Sequence, residues 1–511
     1  MKENLNIIEF GDIEKEVTSK NKIHKYIKII PIISIIITSI IILITIISLM
    51  NNNENYKENE NEKDREDKEE DQKEKEDPKE EDIDIDICET GENDKCLTCE
   101  NKQCTSCNYK FELINGTCVA NFSIKATYET KEFEENIDLI NPMFLFNIYN
   151  MEIDKEEVEP CSDYTFKLKG EHTVYIDMDI SNLKLLISVF SLNEKLTSVF
   201  FSKNFDIQNI TDMKGFFYGC TKLTSVDISN LNTDSVENMM LMFAECSSLN
   251  SIKLPKSNNS NLKTINSMFS QCSDLTSIDL SNFNTHNVVD MSSLFNDCYN
   301  LNSINLTYFK TDNLEKMDNM FQNCTSLASI NLSYFKAQKV KSMESLFYGC
   351  SSLISIDLSN FITPNLININ NMFQNCHSLK YINISNFETD KITSFANLFN
   401  ECSSLISVDV SNFKTANARN ISYMFYGCSS LTSIDLSNFN TKRVKSMDYM
   451  FAECKSLIYI DISSFTLSID PTLTYDNFFV SLPLSGKIKL TRNTNDKIKE
   501  YIPDTWKKIF S

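Results

Sequence analysis

Glycine is scarce and tryptophan almost absent, with nine glycines and one tryptophan in 511 residues. No P-loop and no G-x-G-x-x-G occurs, so neither of the glycine loops that cradle phosphates is present. Histidine is also rare. His24, His172, His286 and His377 are scattered without mutual spacing, and no H-E-x-x-H or nucleophile motif appears. An enzyme is therefore not expected, nor is a cofactor or a resident metal. Basic residues are in the minority, and the net charge is -22. That argues against nucleic acid, whose binding needs a basic surface to displace counterions.

What is abundant is phenylalanine (34) and methionine (18), the composition of a core filled many times with the same side chains. The chain is too long for one ordinary core. Its charge is uneven. Residues 54–87 hold 18 acidic against 7 basic residues, half of the whole excess.

Residues 29–49 read IIPIISIIITSIIILITIISL, 21 residues without a charge. A helix of that length crosses ~30 Å of hydrocarbon. A cleaved signal would be shorter and end in small residues, whereas this run ends in Ser48, Leu49, Met50 and asparagines. It reads as an uncleaved anchor. Lys20, Lys22, Lys25 and Lys28 precede it and an acidic run follows. The positive-inside rule then puts 1–28 in the cytoplasm and the C-terminal region outside, a type II single-pass arrangement. Residues 50–87 carry too little apolar surface to fold and read as an acidic, disordered stalk.

Residues 88–118 hold six cysteines: Cys88, Cys96, Cys99, Cys104, Cys107 and Cys118. Paired C-x-x-C units fit zinc. In an oxidising compartment they fit a disulfide framework, and the expected outside location favours disulfides. The stretch CLTCENKQCTSCNYKFELINGTC resembles the short cysteine-rich modules of protist surface proteins and growth-factor-receptor-like repeats. Residues 119–193 alternate apolar and polar over short runs, which predicts a small β-rich domain. A hydrolase hidden there is the enzymatic alternative.

From Cys220 to Cys454 ten cysteines stand 26 residues apart. Between them runs C-x-S-L-x-S-I-D-L-S-N-F-x-T-x-x-V-x-x-M-x-x-M-F-x-x. A fixed period of this size marks a solenoid, in which each unit covers the apolar stripe of its neighbour. Leu431, Ile434 and Leu436 alternate with Asp435 and predict a short strand. Thr441 suits a helix N-cap. Val444, Met447, Met450 and Phe451 fall on one helical face. The expected fold class is thus α/β: a solenoid over 194–465 with a parallel strand ladder on one face and helices on the other, followed by a C-terminal cap over 466–511. Strands ~4.8 Å apart give a ladder ~50 Å long. The cysteine column reads as small buried side chains and the Met-Phe stripe as core.

The motifs CSSLTSIDLSNFNT and the paired Met-Phe before Cys resemble the leucine-rich repeats of BspA-type microbial surface proteins, including related repeats of mycoplasmas and anaerobic protists. The resemblance implies a leucine-rich-repeat solenoid on a cell surface, often linked to adhesion and to host or matrix binding. One departure is that the slot usually held by a buried Asn is Phe, as in Phe283, Phe309 and Phe439.

The slot beside each strand holds Asp227, Lys253, Asp279, Asn305, Asn331, Asp357, Asn383, Asp409, Asp435 and Asp461. Like carboxylates on an open sheet do not make the unlike pair a glycosidase needs. Asp279, Asp357, Asp409, Asp435 and Asp461 are instead the candidate binding face for a protein or glycan ligand, and the last three form the expected open acidic run. A structural coat or spacer without a ligand is the rival. Asn115, Asn121, Asn209, Asn258, Asn305, Asn323, Asn331, Asn383 and Asn420 begin N-x-S/T sequons and are candidate glycan acceptors.

The topology is directly testable. Protease added to intact cells should remove the cysteine-rich module and the repeats. Protection of the repeats with cleavage within the first 28 residues would reverse it.

Overall fold

The structure, a computed structural model, describes residues 96–100, 103–107, 111–114, 117–120 and 122–510, apart from 256–257, 282, 307–308, 467–471 and 492–495. The expected anchor, stalk and cytoplasmic segment, with Cys88, Asn115 and Asn121, lie outside the described residues. Among the described residues, no helix is long and apolar enough to cross a membrane.

Two hairpins come first. β1 (Cys96–Glu100) pairs antiparallel with β2 (Gln103–Cys107), and β3 (Phe111–Ile114) with β4 (Thr117–Ala120). The β-rich segment contributes β5 (Ile124–Thr130), β6 (Glu135–Asp138), β7 (Ile148–Ile153), β8 (Glu156–Val158), β9 (Asp163–Phe166) and β10 (Gly170–Met178). The solenoid strands are short: β11 (Leu196–Phe201), β12 (Ser225–Asp227), β13 (Ser251–Lys253), β14 (Ser277–Asp279), β15 (Ser303–Asn305), β16 (Ser355–Asp357), β17 (Tyr381–Asn383), β18 (Ser433–Asp435) and β19 (Tyr459–Asp461). β20 (Lys487–Leu490), α1 (Asp496–Tyr501) and β21 (Lys507–Phe510) close the chain.

The β-rich segment does not stand apart from the repeats. One seven-stranded sheet runs β13-β12-β11-β5-β10-β7-β8. β5 pairs antiparallel with β11, and from β11 onward the ladder is parallel. Ile124, Ala126 and Tyr128 therefore cap the apolar column that Val199 and Phe201 begin, and all five are buried. At the other end the fold outlasts the repeat signature. β20 and β21 extend the parallel pairing from β19 beyond Phe465, and Trp506, 3% exposed, donates its indole N–H to Pro483 O.

The inner register is apolar throughout. Ile278 lies across from Ile304, Ile356 from Ile382 and Ile434 from Ile460. Behind them, twelve phenylalanines from Phe190 to Phe479 form one unbroken stacked column, with ring centroids 5.4–6.0 Å apart. Each such contact contributes ~0.5–1.5 kcal/mol beyond its buried area.

The helical face is corrected. Val444, Met447, Met450 and Phe451 are buried as expected, but no helix carries them. Two residues per unit adopt left-handed backbone, such as Leu241 (φ 59) with Glu245 (φ 62), and Tyr449 (φ 56) with Glu453 (φ 61). N–H groups along this stretch alternate between two partners. Met447, Tyr449, Phe451 and Glu453 donate to Thr474, Asp476, Phe478 and Val480 of the next unit, while Met450, Ala452 and Cys454 donate three residues back. The architecture is therefore a β-solenoid of about eleven turns, strands on one side and stacked β-turns on the other. A left-handed non-glycine residue costs ~1–2 kcal/mol. The cross-unit bonds, each worth ~0.5–1.5 kcal/mol net, offset it.

Thr441 is likewise not an N-cap. Its buried hydroxyl donates to Thr466 O and accepts from Thr466 N–H, clamping one peptide of the next unit. Thr415 does the same with Asn440. The place of the missing buried Asn is taken from one position earlier. Asn438 Nδ2 reaches Val410 O, Ser411 O and Phe413 O, and Asn360 and Asn412 repeat the arrangement.

The ten repeat cysteines are free, buried thiols. Each S–H contacts the carbonyl of a Phe one unit back, as Cys454 does to Phe425 O at 3.0 Å. Burial pushes the Cys350 thiol up to about 12, so it is not a thiolate or a ready metal ligand.

Three substitutions test this fold. Leu358→Ala should cost ~2–5 kcal/mol as a packed-core deletion. Asp357→Ala should cost ~0.5–1.5 kcal/mol, the worth of one exposed hydrogen bond. Equal losses in urea unfolding would place the strand the wrong way round. Leu241→Asn, at a left-handed position, should raise the melting temperature. In a helix the same change would lower it.

Candidate binding face

The strand turns out of the ladder at the slot residue, and the slot side chain makes the turn. Oδ1 of Asp279, Asp357, Asp409 and Asp435 each accepts the backbone N–H two residues on, at 2.9 Å, from Ser281, Ser359, Ser411 and Ser437. Asn331 and Asn383 do the same at 3.0 and 3.3 Å. Asp and Asn close such turns because their short side chains mimic a backbone carbonyl. This explains why the slot accepts either residue. Hydrogen bonds from the Ser359 backbone and side chain hold the Asp357 carboxyl below its usual range, and the Ser411 side chain and backbone do so for Asp409. The four carboxylates are fixed in place and exposed.

Asp461 departs from the expected open run. It is 3% exposed, and its Oδ2 pairs at 2.8 Å with Lys489 of β20. Burial would raise its carboxyl, but Lys489 and Ser463 outweigh that and lower it. The C-terminal cap covers this member of the row. Asp227 is similarly tied to Lys253 at 3.2 Å. The open carboxylates are therefore Asp279, Asp357, Asp409 and Asp435, with amides at Asn305, Asn331 and Asn383 among them.

Sequence reasoning missed the apolar residues along this face. Ile354, Tyr381 and Ile406 are 49%, 59% and 41% exposed and sit in three successive units. Ile354 and Ile406 stand just after the buried Leu and Tyr381 opens its strand, positions held by Thr, Asn or Ser in several other units and by Ile458 and Tyr459 in the last. That switch from Thr, Asn and Ser to Ile and Tyr was the available signal. A shallow open groove of about 310 Å³ lies at the start of this run, lined by Asn331, Ser333, Asp357, Ser359 and Asn360.

The sequons divide by environment. Asn209, Asn258, Asn305, Asn331 and Asn383 are exposed. Asn323 and Asn420 are half-buried and serve the turns: Asn323 Nδ2 donates to Asp297, and Asn420 Oδ1 accepts from the Ser422 N–H. In the cysteine-rich hairpin, Cys96 lies across from Cys107 and Cys99 from Cys104. Cross-strand partners have Cα atoms ~4.5–5.5 Å apart, within disulfide reach. Cys118 lies across from Leu113.

One constellation in the β-rich segment has the outline of a hydrolytic triad. His172 Nδ1 meets Asp154 Oδ2 at 2.6 Å, and Nε2 meets Thr130 Oγ1 at 3.0 Å. Thr130 is 3% exposed, however, and its hydroxyl is directed to Leu168 O and Gly170 O. His172 stacks on Phe166, with centroids 4.0 Å apart. The cluster closes the corner between β5, β9 and β10 and offers no approach to the hydroxyl.

Among solved structures, the chain is similar to a TLR13–ssRNA13 complex at 17% identity, with a TM-score of 0.22 and 60% of this chain covered. It spans about half (50%) of the TLR13 chain. It is also similar to a leucine-rich repeat protein from Eubacterium ventriosum at 16% identity, with a TM-score of 0.28, covering 54% of this chain and 81% of that one. No curated protein matches it. Three overlapping stretches, 184–279, 267–382 and 367–469, match one family, and together they span more than half of the chain. The chain belongs to the family described as Mycoplasma protein of unknown function, DUF285.

Proposed function

We propose that this is a membrane-anchored surface protein of the BspA-like leucine-rich-repeat kind, which binds protein or glycan ligands on its strand face and has no catalytic role. The uncharged run 29–49 and the acidic stretch 54–87 support display outside the membrane. The observation that carries the binding reading is the row Asp357, Asp409 and Asp435. It is exposed, held in a single geometry by turn hydrogen bonds, and flanked by the exposed Ile354, Tyr381 and Ile406. Pre-organised acceptors beside apolar surface suit hydroxyl-, amide- or ammonium-bearing ligands. The net charge of -22 disfavours a nucleic acid.

A structural coat or spacer is the second reading. It is favoured by the same turn bonds, since each Asp already serves the fold.

A glycan and matrix-protein array probed with the full chain separates the two. Binding should be saturable, and Asp409→Ala with Asp435→Ala should weaken it at least about tenfold. Asp461→Ala should instead lower the melting temperature, because it removes both the Lys489 ion pair and the turn hydrogen bond from the Ser463 N–H. Full-strength binding by the double variant would remove the ladder as the binding face. A chain with no saturable ligand would leave the coat reading.

A further inference from the structure

Among the described residues, the two ends of the sheet system are edges of opposite charge. At the N-terminal end β8 pairs, among these residues, only with β7, and its sequence is Glu156-Glu157-Val158. At the C-terminal end β21 pairs, among these residues, only with β20, and its sequence is Lys507-Lys508-Ile509-Phe510. Glu156, Glu157, Lys507 and Lys508 are all exposed, and among the described residues none has an ion-pair partner. Lys508 Nζ reaches only Lys499 O, at 3.4 Å. Solenoid ends normally carry a polar covering. Here Met143, Phe146 and Tyr149, just before β8, are 76%, 99% and 68% exposed, and Phe510 is 51% exposed.

We propose that the chain associates head to tail, with β21 of one copy adding to β8 of the next. Strand direction permits it. β5 runs antiparallel to β11, β10 to β5, β7 to β10 and β8 to β7. Four reversals return β8 to the direction of β11. Parallel pairing through β12 and β13 and through β18 to β21 gives the solenoid strands one sense. Stacking a second copy along the ladder axis therefore brings β21 and β8 together in parallel, the pairing used within the solenoid.

The faces fix the register. Lys508 lies across from Ile488 and Phe510 from Leu490, so both occupy the inner row. Val158 lies across from Met151 and Glu156 from Ile153, also the inner row. Matching inner to inner sets Lys508 beside Glu156 and Phe510 beside Val158. Lys507 then falls beside Lys155, where the turn before β8 ends, and diagonal to Glu157, which lies beside Ile509. This register pairs Lys508 with Glu156 inside the strands and covers Phe510. Charged residues on an edge also serve to prevent pairing. Here the signs are opposite at the two ends, so they oppose contact between like ends and favour the unlike one. The contact is heterologous, so it leads to open chains rather than closed dimers.

The test is sedimentation velocity of the full-length chain in detergent across a concentration series. The wild-type chain should form a growing series of species. Lys507→Glu with Lys508→Glu should weaken association at least about tenfold, as should Glu156→Lys with Glu157→Lys. An equimolar mixture of those two variants should regain association as alternating chains, because each variant has two ends of one sign and meets the opposite sign at both junctions with the other. A wild-type chain that stays monomeric throughout, or association that survives both reversals, overturns the proposal. In parallel, Glu156→Cys and Lys508→Cys mixed under mild oxidation should cross-link to each other. Cross-links confined to 156–156 or 508–508 would also overturn it.

Discussion

A backbone N–H inside a packed coil has to find a carbonyl, and in this protein it finds one in the next coil. That constraint organises the rest. It permits left-handed residues twice per unit, because the turns they make aim alternate amides along the solenoid axis. It also makes a single unit unstable by itself, since alternate donors of one unit are satisfied only by the carbonyls of its neighbour. Side-chain columns follow from the same translation. Phe stacks on Phe, Cys reaches back to a Phe carbonyl, and Thr clamps the peptide 25 residues on.

The strand face inherits its character from this regularity. In all but the unit of Lys253 the slot residue is an Asp or Asn that can close the turn, and a row of fixed acceptors results without selection for a ligand. From Ile354 onward the face also carries exposed apolar side chains that the turns do not require, at Ile354, Tyr381, Ile406 and Ile458. At Asp461 the C-terminal cap ends the row by supplying Lys489. The candidate binding face and the ends of the solenoid are therefore separate surfaces with separate chemistry.

Much of this could be read from the residues. The 26-residue period and the inward Leu431, Ile434 and Leu436 were legible, because burial alternates simply along a strand. The turn side was not. Val444, Met447, Met450 and Phe451 have helical spacing, but two left-handed turns return side chains to the same interior at the same spacing. Periodicity reports which side chains are inside and not which hydrogen bonds put them there. The burial of Asp461 was hidden for a different reason: its partner Lys489 stands beyond the last recognisable repeat. The exposed Ile354, Tyr381 and Ile406 were visible as departures from the consensus but carried no sign of direction.

Far-UV circular dichroism of the full chain tests the turn ladder most directly. The account predicts a spectrum dominated by strand and turn. Helical signal should be no larger than the proposed membrane helix over 29–49 and Asp496–Tyr501 can supply. A helical signal several times that size, as a helix in every repeat would give, would contradict it.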